Sequence, residues 1–369
     1  MAKQTFYSKF TARLIKRLFA VDEIKNFDIP EPKKILVVRQ HNQFGDMLAS
    51  VSLFRAIKEK YPDSHLTVIV SPQNYYAITK NEFIDRYFIF DKKKLLNPYY
   101  FIKLLSVLRG NYDLGIVPAT VSISYTSSLL LRLSNSAVRV GPASLNGAQN
   151  DFSYFFDRRI DLDWRRYPDT HVSDFGQEIL RPLGISTNNF RSSISFGEEE
   201  KKEVDKFFEQ NNIDYSKRIV GLHVGAGKPK NRWSLDKFIK VIESLKEDFD
   251  AQFVITGSRS DKNELDYIQK NLNIKVAYFI DRKIPALAAL ISRCDLFITN
   301  DTGVMHVAGA TDTPQISIFG PTNPFNWAPV GSNKFFLRKS DLIDDVTVGD
   351  VLELARMILS QTVEEGINA

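Results

Sequence analysis

Residues 295–324 read DLFITNDTGVMHVAGATDTPQISIFGPTNP. Two short apolar runs, 296–299 and 316–320, enclose a polar, glycine-punctuated segment carrying Asp301, Thr302, Gly303 and His306. Each run has the length and β-branched content of a strand buried on both faces, and GVMHVAGA between them has the character of a helix opened by Gly303. Strand, turn, helix, strand is the unit from which parallel sheets are wound.

Working outward, the same alternation fills the second half of the chain. Strands are expected at RIVGLHV, AQFVITG and KVAYFI, separated by helices over EEEKKEVDKFFEQ, LDKFIKVIESLKED, KNELDYIQKN and PALAALISR, with a last helix in VTVGDVLELARMILSQTV. The first half repeats the pattern with strands KILVVR, HLTVIV, FIDRYFIF and DLGIVPA and helices MLASVSLFRAIKEKY and KKLLNPYYFIKLLSVLRG. The fold class is therefore α/β, two Rossmann-like doubly wound domains facing a cleft. The stretch from Asn146 to Pro182, rich in Asp, Arg and aromatics, breaks the alternation and is taken as the passage between domains. The expected organisation is an amphipathic N-terminal helix region (1–30), one domain over 31–175 and another over 176–369, the final helix able to pack back on the first domain. At 369 residues the chain fits two cores of roughly 150–200 residues each.

Composition narrows the class. Hydrophobic content of 43% and charged content of 25% are those of an ordinary globular protein, and the net charge of +5 favours anionic partners. The sequence pI near 9.0 points the same way. The basic residues are not interleaved with aromatics in one stripe, so nucleic-acid binding has no support. Cys294 is the sole cysteine and cannot form an internal disulfide, which suits a reducing compartment and a buried apolar role rather than a catalytic thiol. No run approaches the ~18 apolar residues of a membrane span. Tyr7, Phe10, Leu14 and Leu18 follow helical spacing beside Lys9, Arg13, Lys16 and Arg17. Such a helix (residues 6–19) either lies on an anionic membrane surface or packs on its own domain. It has no secretory h-region or cleavage site.

In wound sheets ligands sit at the carboxyl ends of the strands. Three loops fall there. HNQFGD (41–46) follows the first strand; His41 and Gly45 lie in it, Gly45 permitting an unusual backbone angle or a close ligand. Asp46 is either an N-cap or a general base. HVGAGKPKNRWS (223–234) offers Gly225 and Gly227 for close phosphate approach, with Lys228, Lys230 and Arg232 for charge. In NDTG (300–303) Asp301 can accept from sugar hydroxyls, Thr302 and nearby N–H groups can meet a phosphate or ribose, and His306 lies one turn on. GPTNP (320–324) is a tight turn with a structural role available to it. DLD (161–163), a metal motif in other transferases, falls in the irregular passage and is taken as chance. The absence of G-x-G-x-x-G after either first strand argues against a dehydrogenase.

These loops in this order resemble glycosyltransferase family 9, the bacterial lipopolysaccharide heptosyltransferases, from Lys34 to near the end of the chain. The resemblance rests on ILVVRQHNQFGDMLASVSLFRAIKEKYPDSHLTVIV, GLHVGAGKPKNRWSLDKFIKVIESL and the D-T-G-x-x-H and FGPT elements of the opening stretch; His171 resembles the family's histidine at the start of the interdomain helix. It implies a GT-B fold, with the first domain holding the acceptor and the second the nucleotide sugar. It also implies inverting, metal-independent transfer without a cofactor, the usual donor being ADP-heptose and the acceptor an anionic glycolipid at the inner face of the cytoplasmic membrane. Asp46 matches the catalytic Asp, and Asp301, Thr302, Gly303 and His306 match the nucleotide-sugar motif. The family's lysine two residues before the Trp is here Asn231, leaving the diphosphate contact to Lys230 or Arg232. That departure keeps open another nucleotide sugar, or a homologue that binds without turnover.

Overall fold

The structure is a computed structural model that describes residues 15–40 and 44–367, with side chains as far as residue 361. The chain forms two compact units, Met1–Ile78 with Glu82–Phe190 and Arg191–Ala369 with the short Thr79–Asn81 segment.

The first unit is built on a seven-stranded sheet of β1 (Lys34–Arg39), β2 (His65–Val70), β3 (Arg86–Ile89), β4 (Tyr112–Ile116), β5 (Ser136–Leu145), β6 (Ala148–Gln149) and β7 (Arg158–Leu162). The strand order is β3-β2-β1-β4-β5-β6, with β7 also on β5, and every pair is parallel except β5 with β6. Ile35, Leu36, Val37 and Val38 of β1 are fully buried, as a strand covered by helices on both faces requires. The β5–β6 hairpin turns at Asn146 and Gly147, both at positive φ (54° and 79°), the geometry of a two-residue primed turn.

The second unit carries β8 (Ile219–His223), β9 (Gln252–Gly257), β10 (Ala277–Ile280), β11 (Leu296–Asn300), β12 (Gln315–Ile318) and β13 (Lys334–Leu337), all parallel, in the order β10-β9-β8-β11-β12-β13. Numbered within the unit this is 3-2-1-4-5-6, the doubly wound order. Its helix Leu235–Phe249 buries Phe238, Ile239, Val241, Ile242 and Leu245, one face at helical spacing, around the fully buried Trp233.

The expectation of two doubly wound domains thus holds, while their extents differ. The stretch taken as an interdomain passage contains β6 and β7, and the units divide at Phe190–Arg191 rather than at residues 175–176. In the last helix, Val348–Ile367, Val351, Leu352, Ala355, Ile358 and Leu359 enter the core of the second unit. At the amino end, residues 15–19 are helical and Ile15 and Phe19 pack on the core of the first unit, with the Arg132 Nε donating to the Phe19 carbonyl at 2.6 Å. The remainder of the amphipathic helix, including Tyr7, Phe10 and Leu14, lies outside the described residues. No helix among the described residues is long and apolar enough to cross a membrane.

Cys294 is buried beneath β8, where a Cβ on Gly221 would stand 2.9 Å from its sulfur. Burial pushes its thiol well above the ordinary range, so the reactive thiolate does not form near neutrality. The native protein should leave a thiol-exchange reagent unreacted at pH 7 and titrate one thiol once denatured; rapid reaction of the native chain would contradict this packing.

Candidate functional site

In both sheets the winding direction reverses beside the first strand, between β1 and β4 and between β8 and β11. Loops leaving the two central strands there part in opposite directions, which opens a crevice and leaves backbone groups without ladder partners.

In the first unit, β1 ends at Arg39, buried to 4% exposure. Its guanidinium donates to the Pro118 carbonyl (3.4 Å), the Thr120 hydroxyl (3.1 Å) and the Asp46 carbonyl (3.3 Å). Burial pulls the Arg39 pKa down from its ordinary value, and the Asp46 carboxylate acts in the other direction. Asp46, 2% exposed, is the third residue of the helix Phe44–Ala49, so it is not the N-cap considered from sequence. Gly45 is helical too, and the left-handed angle it could have supplied is not used. His41 lies outside the described residues. The Nδ1 of His171 accepts from the Ser173 N–H at 3.1 Å and caps Val172–Phe175, a single turn packed on the helices of Asp46 and its successor, Val51–Lys60. In DLD, Asp163 is engaged by Arg165, whose hydrogen bonds hold its carboxyl down at about 2, and Asp161 accepts from Ser144. Among the described residues no group of three His, Cys, Asp or Glu side chains is placed to hold a metal ion.

In the second unit, β11 ends at the fully buried Asn300. Its amide donates to the carbonyls of Val224 (3.0 Å) and Gly225 (3.2 Å), and its oxygen accepts from the Trp233 N–H (3.1 Å). One side chain thereby fixes both ends of the glycine loop. The next residue, Asp301, accepts from the Asn231 amide at 2.7 Å and from Thr322. Burial raises its pKa, while Thr322 and the nearby Lys228 charge work to lower it. Thr322 belongs to the GPTNP turn, which therefore supplies a partner to the site as well as a bend. Asn231 is 5% exposed; its amide serves Asp301, and its Oδ1 is buried without a hydrogen-bond partner among the described residues.

The basic loop divides. Arg232 turns inward, pairing with the buried Glu264 and donating to the Ala226 carbonyl at 3.0 Å, and so is held by the protein itself. Lys228 and Lys230 are exposed and form no ion pair among the described residues. The glycines divide as well. A Cβ at Gly225 would stand 2.2 Å from the Asp261 carboxylate, so glycine is demanded there by internal packing. At Gly227 and Gly303 a Cβ would meet nothing within 4 Å. Thr302 precedes the helix Gly303–Gly309 without capping it, and the half-buried His306 stands edge-on to Trp327 with ring centroids 6.5 Å apart. The far end of that helix is clamped by Lys334, whose ammonium donates to the carbonyls of Ala308 and Thr313.

Two doubly wound units, each with polar side chains gathered at its switch point, are the architecture of the GT-B fold, and solved structures agree. A glycosyl transferase family 9 protein from Veillonella parvula superposes with a TM-score of 0.77 at 21% identity, covering 93% of this chain and 99% of that one. The Escherichia coli ADP-heptose lps heptosyltransferase II does so with a TM-score of 0.72 at 21% identity, covering 89% and 99%. The sequence pattern of glycosyltransferase family 9 (heptosyltransferase) matches residues 101–345. Among relatives, lipopolysaccharide heptosyltransferase 3 of E. coli is 26% identical over 301 residues, 78% of this chain and 84% of its own. Lipooligosaccharide heptosyltransferase 2 of Campylobacter jejuni is 31% identical over 174 residues, 46% of this chain and 50% of its own. The chain belongs to glycosyltransferase family 9 and is a glycosyltransferase.

Two outcomes test this geometry. Arg232→Ala leaves the buried Glu264 without its counter-charge and should destabilise the protein by about 1–3 kcal/mol in denaturant unfolding, the cost of leaving a buried polar group unpaired when its partner is half-buried; an unchanged stability would mean that the pair is solvent-screened. Burial also pushes the Lys334 amine down to about 7, below the unfolded value of about 10.4. Between those values the unfolded chain binds the extra proton, so stability rises with pH across that window and is lost as pH falls through about 7. The unfolding temperature of the wild type relative to Lys334→Met should therefore increase from about pH 7 to about pH 10; a flat difference would show that Lys334 stays charged.

Proposed function

We propose that this glycosyltransferase moves heptose from ADP-heptose to a lipopolysaccharide-core or related glycolipid acceptor, with inversion at the anomeric carbon and without a metal ion or other cofactor. The observation that carries the reading is Asp46, a carboxylate set at the switch point of the first sheet with the Arg39 guanidinium beside it. In the transfer, Asp46 takes the proton of the acceptor hydroxyl while that oxygen bonds to the anomeric carbon and the bond from that carbon to the diphosphate oxygen breaks. A single displacement inverts the centre. The departing diphosphate gains negative charge, which falls to Lys228, Lys230 and the free N–H groups near Thr302 and Gly303. Asp301, steadied by Asn231 and Thr322, accepts from the hydroxyls of the nucleotide sugar, and His306 contributes from the following turn. Gly227, open to solvent, admits the phosphates, whereas Gly225 acts by letting Asp261 close behind the loop. The enzyme works in the cytoplasm, where its glycolipid acceptor is presented at the inner face of the membrane.

The names of the E. coli and C. jejuni relatives support heptose and a lipopolysaccharide or lipooligosaccharide acceptor. Asn231 favours a second reading in which another nucleotide sugar is the donor, because its neutral amide is spent on Asp301 rather than offered as a cation. Asp46→Asn should bind ADP-heptose as the wild type does while its transfer rate falls by about 10²–10⁴, the range for loss of a general base, and a chelator should leave the wild-type rate unchanged. Calorimetry with ADP-heptose beside GDP-, UDP- and dTDP-sugars decides the donor; wild-type rates in Asp46→Asn would remove the base assignment, and no binding of any nucleotide sugar would remove the proposal.

A further inference from the structure

The exposed face of the first unit contains a segment that internal packing does not explain. After β3 the chain makes a tight turn through Lys92–Lys94 and enters the helix Pro98–Leu108. The turn is held firmly. Asp91 caps it by accepting from the Lys93 N–H, Asn97 caps the helix by accepting from the Tyr100 N–H, and the Tyr100 hydroxyl bridges the Ile89 carbonyl and the Asp91 N–H at 2.9 and 2.6 Å. Leu104, Val107 and Leu108 face the core of the unit. On the other side of the same helix, Tyr99, Ile102, Lys103 and Ser106 follow helical spacing and are exposed. An outward helix face is ordinarily polar. Here Leu96 is 96% exposed, Tyr99 68% and Ile102 64%, with Phe101 and Leu95 exposed beside them. By contrast the exposed side of Glu198–Asn211 is lined with charges of both signs, including the Lys201–Glu198 pair.

Four lysines border this apolar surface, Lys92, Lys93, Lys94 and Lys103, and none forms an ion pair among the described residues; Lys103 lies over the Tyr99 ring at 4.4 Å. We propose that residues 92–103 dock the enzyme on an anionic lipid bilayer, with Leu96 and Ile102 entering the acyl boundary, Tyr99 at headgroup depth and the lysines on lipid phosphates. That division of labour is what interfacial helices and polybasic segments use. A second copy of this chain fits less well, because a two-fold interface here would set each lysine cluster against its twin. The placement also serves the reaction. In the parallel order β3-β2-β1, the turn after β3 and the Asp46 helix after β1 rise from the same edge of the sheet, two strand spacings or about 10 Å apart. A lipid-anchored acceptor would thus be met on the rim that carries the proposed base, a consequence that rests on the glycolipid reading above.

The test is co-sedimentation of the full chain with vesicles of phosphatidylethanolamine and phosphatidylglycerol, and with vesicles of phosphatidylcholine alone. The wild type should bind the anionic vesicles, lose binding as salt rises, and leave the neutral ones largely unbound. The triple variants Leu96→Ser/Tyr99→Ser/Ile102→Ser and Lys92→Glu/Lys93→Glu/Lys94→Glu should each bind at least tenfold more weakly, with unfolding temperature and calorimetric ADP-heptose binding as in the wild type. Because vesicle binding is read without turnover, failure of the donor or acceptor assignment would not imitate failure here. The proposal is overturned if the wild type does not bind anionic vesicles. It is equally overturned if both variants bind them like the wild type, or if the variants only convert an oligomer to a monomer in sedimentation velocity.

Discussion

The Asn300 side chain, with its hydrogen bonds to Val224, Gly225 and Trp233, is the contact on which the second unit's functional rim depends. Where a wound sheet reverses direction, the loops leaving its two central strands lose their ladder partners, and a buried carbonyl without a donor costs on the order of 1–3 kcal/mol. Asn300 meets that demand from the last position of β11 and ties its own strand to the loop that follows β8. The first unit solves the same problem with a different residue. Arg39, at the last position of β1, donates to Pro118 and Thr120 in the loop that follows β4. In each unit a buried polar side chain ending one central strand fastens the loop that follows the other. Each anchor also adjoins an acid of the proposed site, Asp301 by sequence and Asp46 by contact.

How legible this was depended on whether the signal was local. Central strands buried on both faces, such as KILVVR and LFITN, are unbroken apolar runs and stand out. Strands away from the centre do not. β7 reads RRIDL, with Ile160 and Leu162 buried and Asp161 exposed, and the charges alternating along it give it the composition of a linker. β13 reads KFFL and begins with a buried lysine. Even so, Asn146-Gly147 is a local hairpin signal inside the same stretch as β7. The polar turns that gather the candidate site residues were visible because glycine and acid mark the strand-to-helix passages. Their partners were not. Arg39 sat inside an apparent strand, Thr322 in a turn that looked structural, and the Asp261 that makes Gly225 obligatory lies far along the chain; each matters only once the sheet is wound.

The division of the basic loop constrains how a phosphate can be gripped at this rim. Arg232 would have offered a planar fork able to orient a diphosphate through paired hydrogen bonds, but the buried Glu264 engages that fork from the protein side. Lys228 and Lys230 are compact charges on flexible stems, which attract an anion without fixing its rotation. Under the proposed function directional groups would have to orient the ligand, and those the structure holds are the Asp301 carboxylate, set by Asn231 and Thr322, and the backbone of a loop pinned by Asn300. Asn231 would act through Asp301, to which its amide donates. A cation at 231 would add attraction where two lysines already supply it, whereas the neutral amide spends its donor on aiming Asp301. On the proposed donor reading, selectivity at this rim would follow the geometry of sugar and ribose hydroxyls more closely than the charge of the diphosphate, which is common to every nucleotide-diphosphate sugar.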